Sequence, residues 1–119
     1  MFNYLVQVVY FRYENKENPV KQFIDTLSSK QHAKIFRILL YVEKYGLSSI
    51  LPHIKKITST PLWEIRILGN YNIRIIYVLP LSNIVLLLHG FIKKTNKTPK
   101  KEINIALNRL KQWESSVDK

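Results

Sequence analysis

Hydrophobic and polar positions change their period several times along the chain, and each change marks an element. Residues 4–12, YLVQVVYFR, are β-branched and aromatic with no helix breaker, which predicts a first strand from Tyr4 to Arg12. The polar run Glu14 to Asn18 ends at Pro19, and the chain turns there. Asn18 before Pro19 has the form of a helix cap with proline at the first helical position, so a short helix is expected through Leu27. Ser28 with Gln31 three residues on is a capping-box pattern. The segment behind it, Lys30 to Tyr45, sets Ala33, Phe36 and Leu40 at helical spacing, and Gly46 closes it. Together these helices predict a hairpin whose polar face holds Lys30, Lys34, Arg37 and Lys44.

Leu47 to Pro61 has weak signals and reads as a connector carrying Lys55 and Lys56. Three strand-like runs follow: Leu62 to Leu68, Asn72 to Leu79 and Asn83 to Phe91. Turns at Gly69–Asn70 and Pro80–Ser82 pair them antiparallel. Ile84 to Leu88 is apolar at every position, the pattern of a central strand covered on both faces. Thr98 and Pro99 open a last helix with Ile103, Ala106, Leu107, Leu110 and Trp113 on one stripe. The expected fold class is α+β: an N-terminal strand, a two-helix hairpin, an antiparallel sheet of three or four strands and a C-terminal helix, in one domain over residues 1–119. Phe36, Trp63 and Trp113 read as core, and His32 and His53 as ordinary surface or connector residues.

Composition narrows the class. The chain has 119 residues, 46% of them hydrophobic, enough for a core and too many for a disordered basic tail. It has no cysteine, which removes disulfide frameworks, thiolate zinc sites and thiol catalysis. No apolar run reaches membrane-spanning length, and Met1 to Tyr10 lacks the features of a secretory signal, so a soluble, cytoplasmic chain with no membrane partner is expected. The net charge is +11. Between Glu43 and Glu102 stand ten lysines and arginines and a single acid, Glu64, while the remainder is nearly balanced at nine against seven. A basic excess concentrated on a sheet and its adjoining loop is the footprint of a phosphate-backbone binder.

The same window carries ordered motifs: Leu62-Trp63-Glu64-Ile65-Arg66; Asn72-Ile73-Arg74-Ile75-Ile76-Tyr77; Leu87-Leu88-His89-Gly90-Phe91-Ile92-Lys93-Lys94-Thr95; then Lys97-Thr98-Pro99 and Glu102-Ile103. In this order and spacing they resemble the RelE/HigB toxin superfamily, and most nearly its phage-derived, HigB-like branch. The resemblance spans nearly the whole chain. It implies a compact microbial-type ribonuclease fold and a ribosome-associated cleavage of messenger RNA. It also implies neutralisation by a HigA-like helix-turn-helix antitoxin, through which alone the chain would meet DNA.

Cleaving RNA without a metal needs a group to take the proton of a 2′-hydroxyl, cations for the charge growing on the phosphoryl oxygens, and a donor for the leaving 5′-oxygen. No acids or histidines stand at metal-ligand spacing, so neither metal nor cofactor is expected. Arg66 and Arg74 lead the candidates, because arginine offers phosphate a planar donor fork. A three-residue loop, Gly69 to Tyr71, would set them opposite each other on one face, whereas a loop of two or four would separate them. The bland alternative for Arg66 is a salt bridge with Glu64. Lys55 and Lys56 fall where related toxins place lysines that act on the scissile phosphate or as base, and the alternative is a pair of solvated connector lysines. His89 is a candidate acid or base, set against a core-edge histidine held by hydrogen bonds.

Lys93, Lys94, Lys97, Lys100 and Lys101 are the expected nucleic-acid contacts. Lys93 and Lys94 fall in the family's basic loop, where RelE-type enzymes offer an arginine, and Lys100 and Lys101 in a helix's first turn favour an external anion. The C-terminal tyrosine, or histidine and aspartate, of many relatives has no counterpart, which leaves the general acid unassigned and Tyr77 a weak substitute. Three readings stand: an endoribonuclease toxin, a non-catalytic RNA- or ribosome-binding module, and a ParE-like inhibitor of gyrase.

Overall fold

The computed structural model describes residues 6–67, 69 and 72–117. Its elements run β1 (Gln7–Tyr10), α1 (Pro19–Asp25), α2 (Ser29–Tyr45), a 3-10 segment (Leu47–His53), β2 (Ile54–Lys56), β3 (Trp63–Ile67), β4 (Ile73–Leu81), β5 (Ile84–Ile92) and α3 (Lys100–Val117). The α+β class holds, with a sheet of five strands rather than three or four, in the order β1-β5-β4-β3-β2. The fifth is β2, inside the expected connector. β1 joins β5 in parallel and every other pair is antiparallel. Tyr4 and Leu5 of the expected first strand, Leu68 and the loop residues Asn70 and Tyr71 lie outside the described residues.

Local chemistry sets the helix starts as expected. The Asn18 side chain accepts from the Lys21 N–H at 3.1 Å, and Pro19 opens α1. Ser28 and Gln31 form the reciprocal capping box of α2, and Gly46 ends it at φ +83. Thr98 behaves differently, since its hydroxyl leaves the helix and donates to Glu64.

Two cores sandwich the sheet. On one face α1, α2 and the 3-10 segment pack Val20, Ile24, Ile35, Leu39 and Ile50 against Ile65, Ile67, Ile73, Ile75, Tyr77, Val85 and Leu87. At Gly90 an added Cβ would sit 2.5 Å from the Phe23 ring, so only glycine lets α1 lie this close to β5. On the other face α3 sets Ala106 and Leu110 on Ile76, Val78, Leu86, Leu88 and Phe91, with Ile103, Leu107 and Trp113 at the margin. Central β5 is thus covered on both faces, as its apolar run predicts.

Three expectations need correction. β4 continues through Pro80, which the register shift between Val78 and Leu81 accommodates by freeing the strand from strict ladder bonding. In α2 the buried positions are Ile35, Ile38, Leu39 and Val42. Ala33, Phe36 and Leu40 point outward instead, and Phe36 is 44% exposed rather than core. Two apolar stripes coexist on this helix, and the β-branched-rich one is inside. Trp63 and Trp113 are half-buried against the two cores.

Candidate anion site

Alternation along β3 and β4 dictates which charges meet. Ile65, Ile67, Ile73 and Ile75 face α1 and α2, so Glu64, Arg66 and Arg74 face the α3 side. Arg66 stands directly opposite Arg74 in the ladder, the register of the three-residue loop. Lys55 pairs with Glu64 across β2 and β3 and shares that face. Lys93 follows β5, its N–H bonded to the Asn72 carbonyl at 2.8 Å, and its ammonium lies in reach of the charges of Glu64, Arg74, Lys55 and Arg66. Four cations from four segments therefore converge on one acid.

That acid is almost fully enclosed, at 1% exposure. One Glu64 oxygen lies 3.7 Å from Arg74 Nε, an ion pair too long for a hydrogen bond, and the other accepts from the Thr98 hydroxyl at 2.7 Å. Glu64 thus pairs with Arg74 across the strands, and not with Arg66, two residues along its own strand. It offsets part of the cation repulsion and, through Thr98, ties the basic loop to the sheet.

The guanidinium groups are poorly satisfied. Arg74 donates to the Ile73 carbonyl at 3.1 Å and Arg66 to the Pro52 carbonyl at 3.4 Å, yet the Nε of each is buried with no hydrogen bond. Burial pulls the Arg74 pKa down, Glu64 pushes it up and Arg66 pulls it further down. Lys93, 8% exposed, is also lowered, by burial first and then by Arg74, Lys55 and Arg66 against the opposing pull of Glu64. Like charges forced together with buried donors to spare form a site shaped for an oxyanion.

The other expected residues are distributed differently. Lys56 pairs with Trp63 on the opposite face, its ammonium 5.4 Å from the ring centroid and donating to the Thr60 and Leu62 carbonyls. Lys94, Lys97, Lys100 and Lys101 are exposed along the loop and the first turn of α3, forming a basic rim. Tyr77 projects into the α1/α2 core, 1% exposed, where burial drives its hydroxyl up to about 12.

His89 sits on the α3 side because Leu88 is an extra residue in the ladder between the Ile76–His89 and Tyr77–Leu87 pairs. Its Nε2 lies 2.9 Å from Glu102 and its Nδ1 3.2 Å from Arg109 Nη1. Arginine can only donate, so Nδ1 is the acceptor and Nε2 carries the proton. The ring is neutral and fully engaged, and burial, ahead of the opposing Glu102 hydrogen bond, lowers its pKa. Arg109 also donates to the Leu88 carbonyl at 2.9 Å and to the Tyr13 hydroxyl at 2.8 Å, so this cluster fastens α3 to the sheet.

Sequence reasoning missed three contributors. Glu64 was visible as the lone acid of the basic window, but its pairing with Arg74 needed the register. Thr98 was assigned to capping. His53, placed in the connector, donates from Nδ1 to the Arg66 carbonyl at 3.0 Å and holds the 3-10 segment beside the site.

Such a fold and site define a small basic α+β domain whose sheet gathers cations around a buried carboxylate. Residues 22–111 match the family model described as Phage derived protein Gp49-like (DUF891). The chain belongs to this phage-derived Gp49-like family, within the RelE-like group of type II toxins. No match was found among curated proteins. Among the described residues no helix is long and apolar enough to cross a membrane.

Proposed function

We propose that the chain is the HigB-like toxin of a type II toxin–antitoxin pair, acting in the cytoplasm as a metal-independent endoribonuclease on messenger RNA held by the ribosome. Its partner in neutralisation is a HigA-like helix-turn-helix antitoxin. The observation that carries this reading is the convergence of Arg66, Arg74, Lys55 and Lys93 around Glu64 on one sheet face. Family membership supports the toxin half of the reading.

In the proposed reaction the 2′-oxygen attacks the adjacent phosphorus and the 5′-oxygen leaves, giving a 2′,3′-cyclic phosphate and a 5′-hydroxyl end. Arg66 and Arg74 hold the phosphoryl oxygens as charge grows on them. Lys93 is the group suited to take the 2′-hydroxyl proton, because burial and neighbouring cations favour its neutral form. Lys55 then supplies the proton to the departing oxygen. Glu64 is too enclosed to meet RNA and acts by orienting Arg74. The exposed lysines Lys94, Lys97, Lys100 and Lys101 bind the flanking backbone or ribosomal RNA.

Mapping breaks in a reporter transcript with and without translating ribosomes tests the reading. Wild-type chain is expected to cut only the translated transcript, and Arg74→Ala to lose cutting and growth arrest while keeping its cooperative melt. Full toxicity in that variant, or growth arrest without any transcript break, overturns it.

A further inference from the structure

Helix α2 turns an apolar surface to the outside. Leu40 is 54% exposed and Phe36 44%, one turn apart, with Ala33 exposed beside them. Beneath them Val8, Tyr10, Phe36, Leu39, Leu40 and Glu43 line a groove of about 320 Å³ between α2 and the outer edge of β1. Exposed Lys30, Arg37 and Lys44 flank the ridge on the side away from β1. The acids beside this face are engaged: the Glu43 carboxylate accepts the outward-pointing N–H of Val8 at 3.0 Å, and Asp25 pairs with Lys21 and with His32, whose ring packs edge-on against Phe36. Tyr41 and Tyr45, edge to face with centroids 5.8 Å apart, are exposed beyond that cationic flank.

We propose that this face is a docking site for an acidic amphipathic helix of a separate protein chain. Three features select that occupant. Apolar side chains one turn apart above a side-chain-sized groove match the spaced anchors of a helix laid on a groove. The cationic flank calls for acids beside those anchors and sets identical cations against each other in any two-fold pairing of α2 faces, which disfavours a second copy. The capping of Val8 by Glu43 blunts the free edge of β1, so the contact is made by side chains and not by an added strand. The surface lies across the sheet from the cation site, so a bound partner leaves that site open. The proposal stands whether or not the site cuts RNA.

The test uses the full chain and a fluorescein-labelled synthetic peptide of three heptads, with leucine at the anchor positions and glutamate around them, read by fluorescence anisotropy. Wild-type chain is expected to bind it. Leu40→Asp, and separately the double change Arg37→Glu with Lys44→Glu, should each weaken binding at least tenfold with circular dichroism and transcript cutting unchanged. A peptide with lysine in place of glutamate should not bind. Equal binding by wild type and Leu40→Asp overturns the proposal. So does binding lost only in Arg74→Ala, which would put the peptide in the cation site. Leu40-dependent dimerisation in sedimentation, or Leu40-dependent binding to phosphatidylglycerol vesicles, without peptide binding would assign the face to a second copy or to lipid and likewise overturn it.

Discussion

The two faces of one sheet do different work with nearly the same strands. Toward α1 and α2, Ile65, Ile67, Ile73 and Ile75 are sealed against helices along their length. Toward α3, the partners next to them in sequence are Glu64, Arg66, Arg74 and Ile76, and only the half of the face near Ile76 is covered by apolar residues. Every second residue therefore either stabilises the fold or builds the site. The contrast shows how a chain of this size can carry concentrated charge: one face supplies cohesion, and the other tolerates cations that repel each other because a single buried glutamate lies among them.

Neighbouring substitutions should separate these roles most sharply. Ile75→Ala empties a fully buried position and is expected to lower stability by about 2–5 kcal/mol in denaturant melts, with activity per folded molecule preserved. Arg74→Ala, one residue earlier, should reduce transcript cutting by roughly a hundredfold or more. Its fold should persist, since Glu64 keeps Thr98 and the nearby charges of Arg66 and Lys93. Equal loss of stability in both variants would erase the division between the faces.

Lys93 sharpens the comparison in the opposite sense. The residue is largely covered, no hydrogen bond holds its ammonium among the described residues, and burial and the neighbouring cations disfavour its charge. Lys93→Met should leave the melting temperature unchanged or raise it by a few degrees while cutting falls at least about tenfold, as expected when a general base is removed. Lys93→Arg, which keeps charge but cannot serve as base near neutral pH, should recover RNA binding and not cutting. Rescue of cutting by arginine would reduce Lys93 to a phosphate contact.

Thr98 measures the link between the loop and the sheet. Thr98→Val removes the donor to one oxygen of an enclosed carboxylate, a change of about 1.5–3 kcal/mol for a hydrogen bond to a charged group, and Thr98→Ser should restore it. Urea melts of the two variants check this. A valine variant as stable as wild type would mean that Glu64 is held by its cations alone.

Much of this arrangement is legible in residues met one at a time. Capping signals at Asn18, Ser28 and Gly46, the apolar run of β5 and the stripe of α3 all act locally, and each appears where the pattern puts it. The opposition of Arg66 and Arg74 is one of two arrangements the sequence leaves open, and the strand register decides it. What escaped depends on contacts between distant segments. Ile54 to Lys56 is a strand only because β3 offers an edge, and three residues carry too little pattern to announce it. α2 has two apolar stripes, so periodicity could not say which one the sheet would cover. The Leu88 bulge, which swings His89 toward α3, leaves no mark in an unbroken apolar run.

The smallest expected effect comes from His89 and tests whether the α3 side is held by polar contacts as the other side is held by packing. Burial and the Arg109 guanidinium lower its pKa below 6.5, while Glu102 opposes them. The unfolded chain then binds the proton more readily than the native state, so protonation favours unfolding. Stability is fully present above pH 6.5 and declines as pH falls from there through the lower native-state value, by at most about 1.4 kcal/mol per unit for one proton. The decline should be absent in His89→Gln, whose amide does not titrate. A second decline belongs to Asp25, whose pKa Lys21 and His32 hold below 3.8, and it should remain in that variant because Asp25 lies on α1 across the sheet. Chemical denaturation at a series of pH values separates the two windows. Should both variant and wild type lose stability equally between pH 6.5 and 5, the fastening of α3 does not depend on a neutral His89, and Ala106 and Leu110 hold that helix by packing alone.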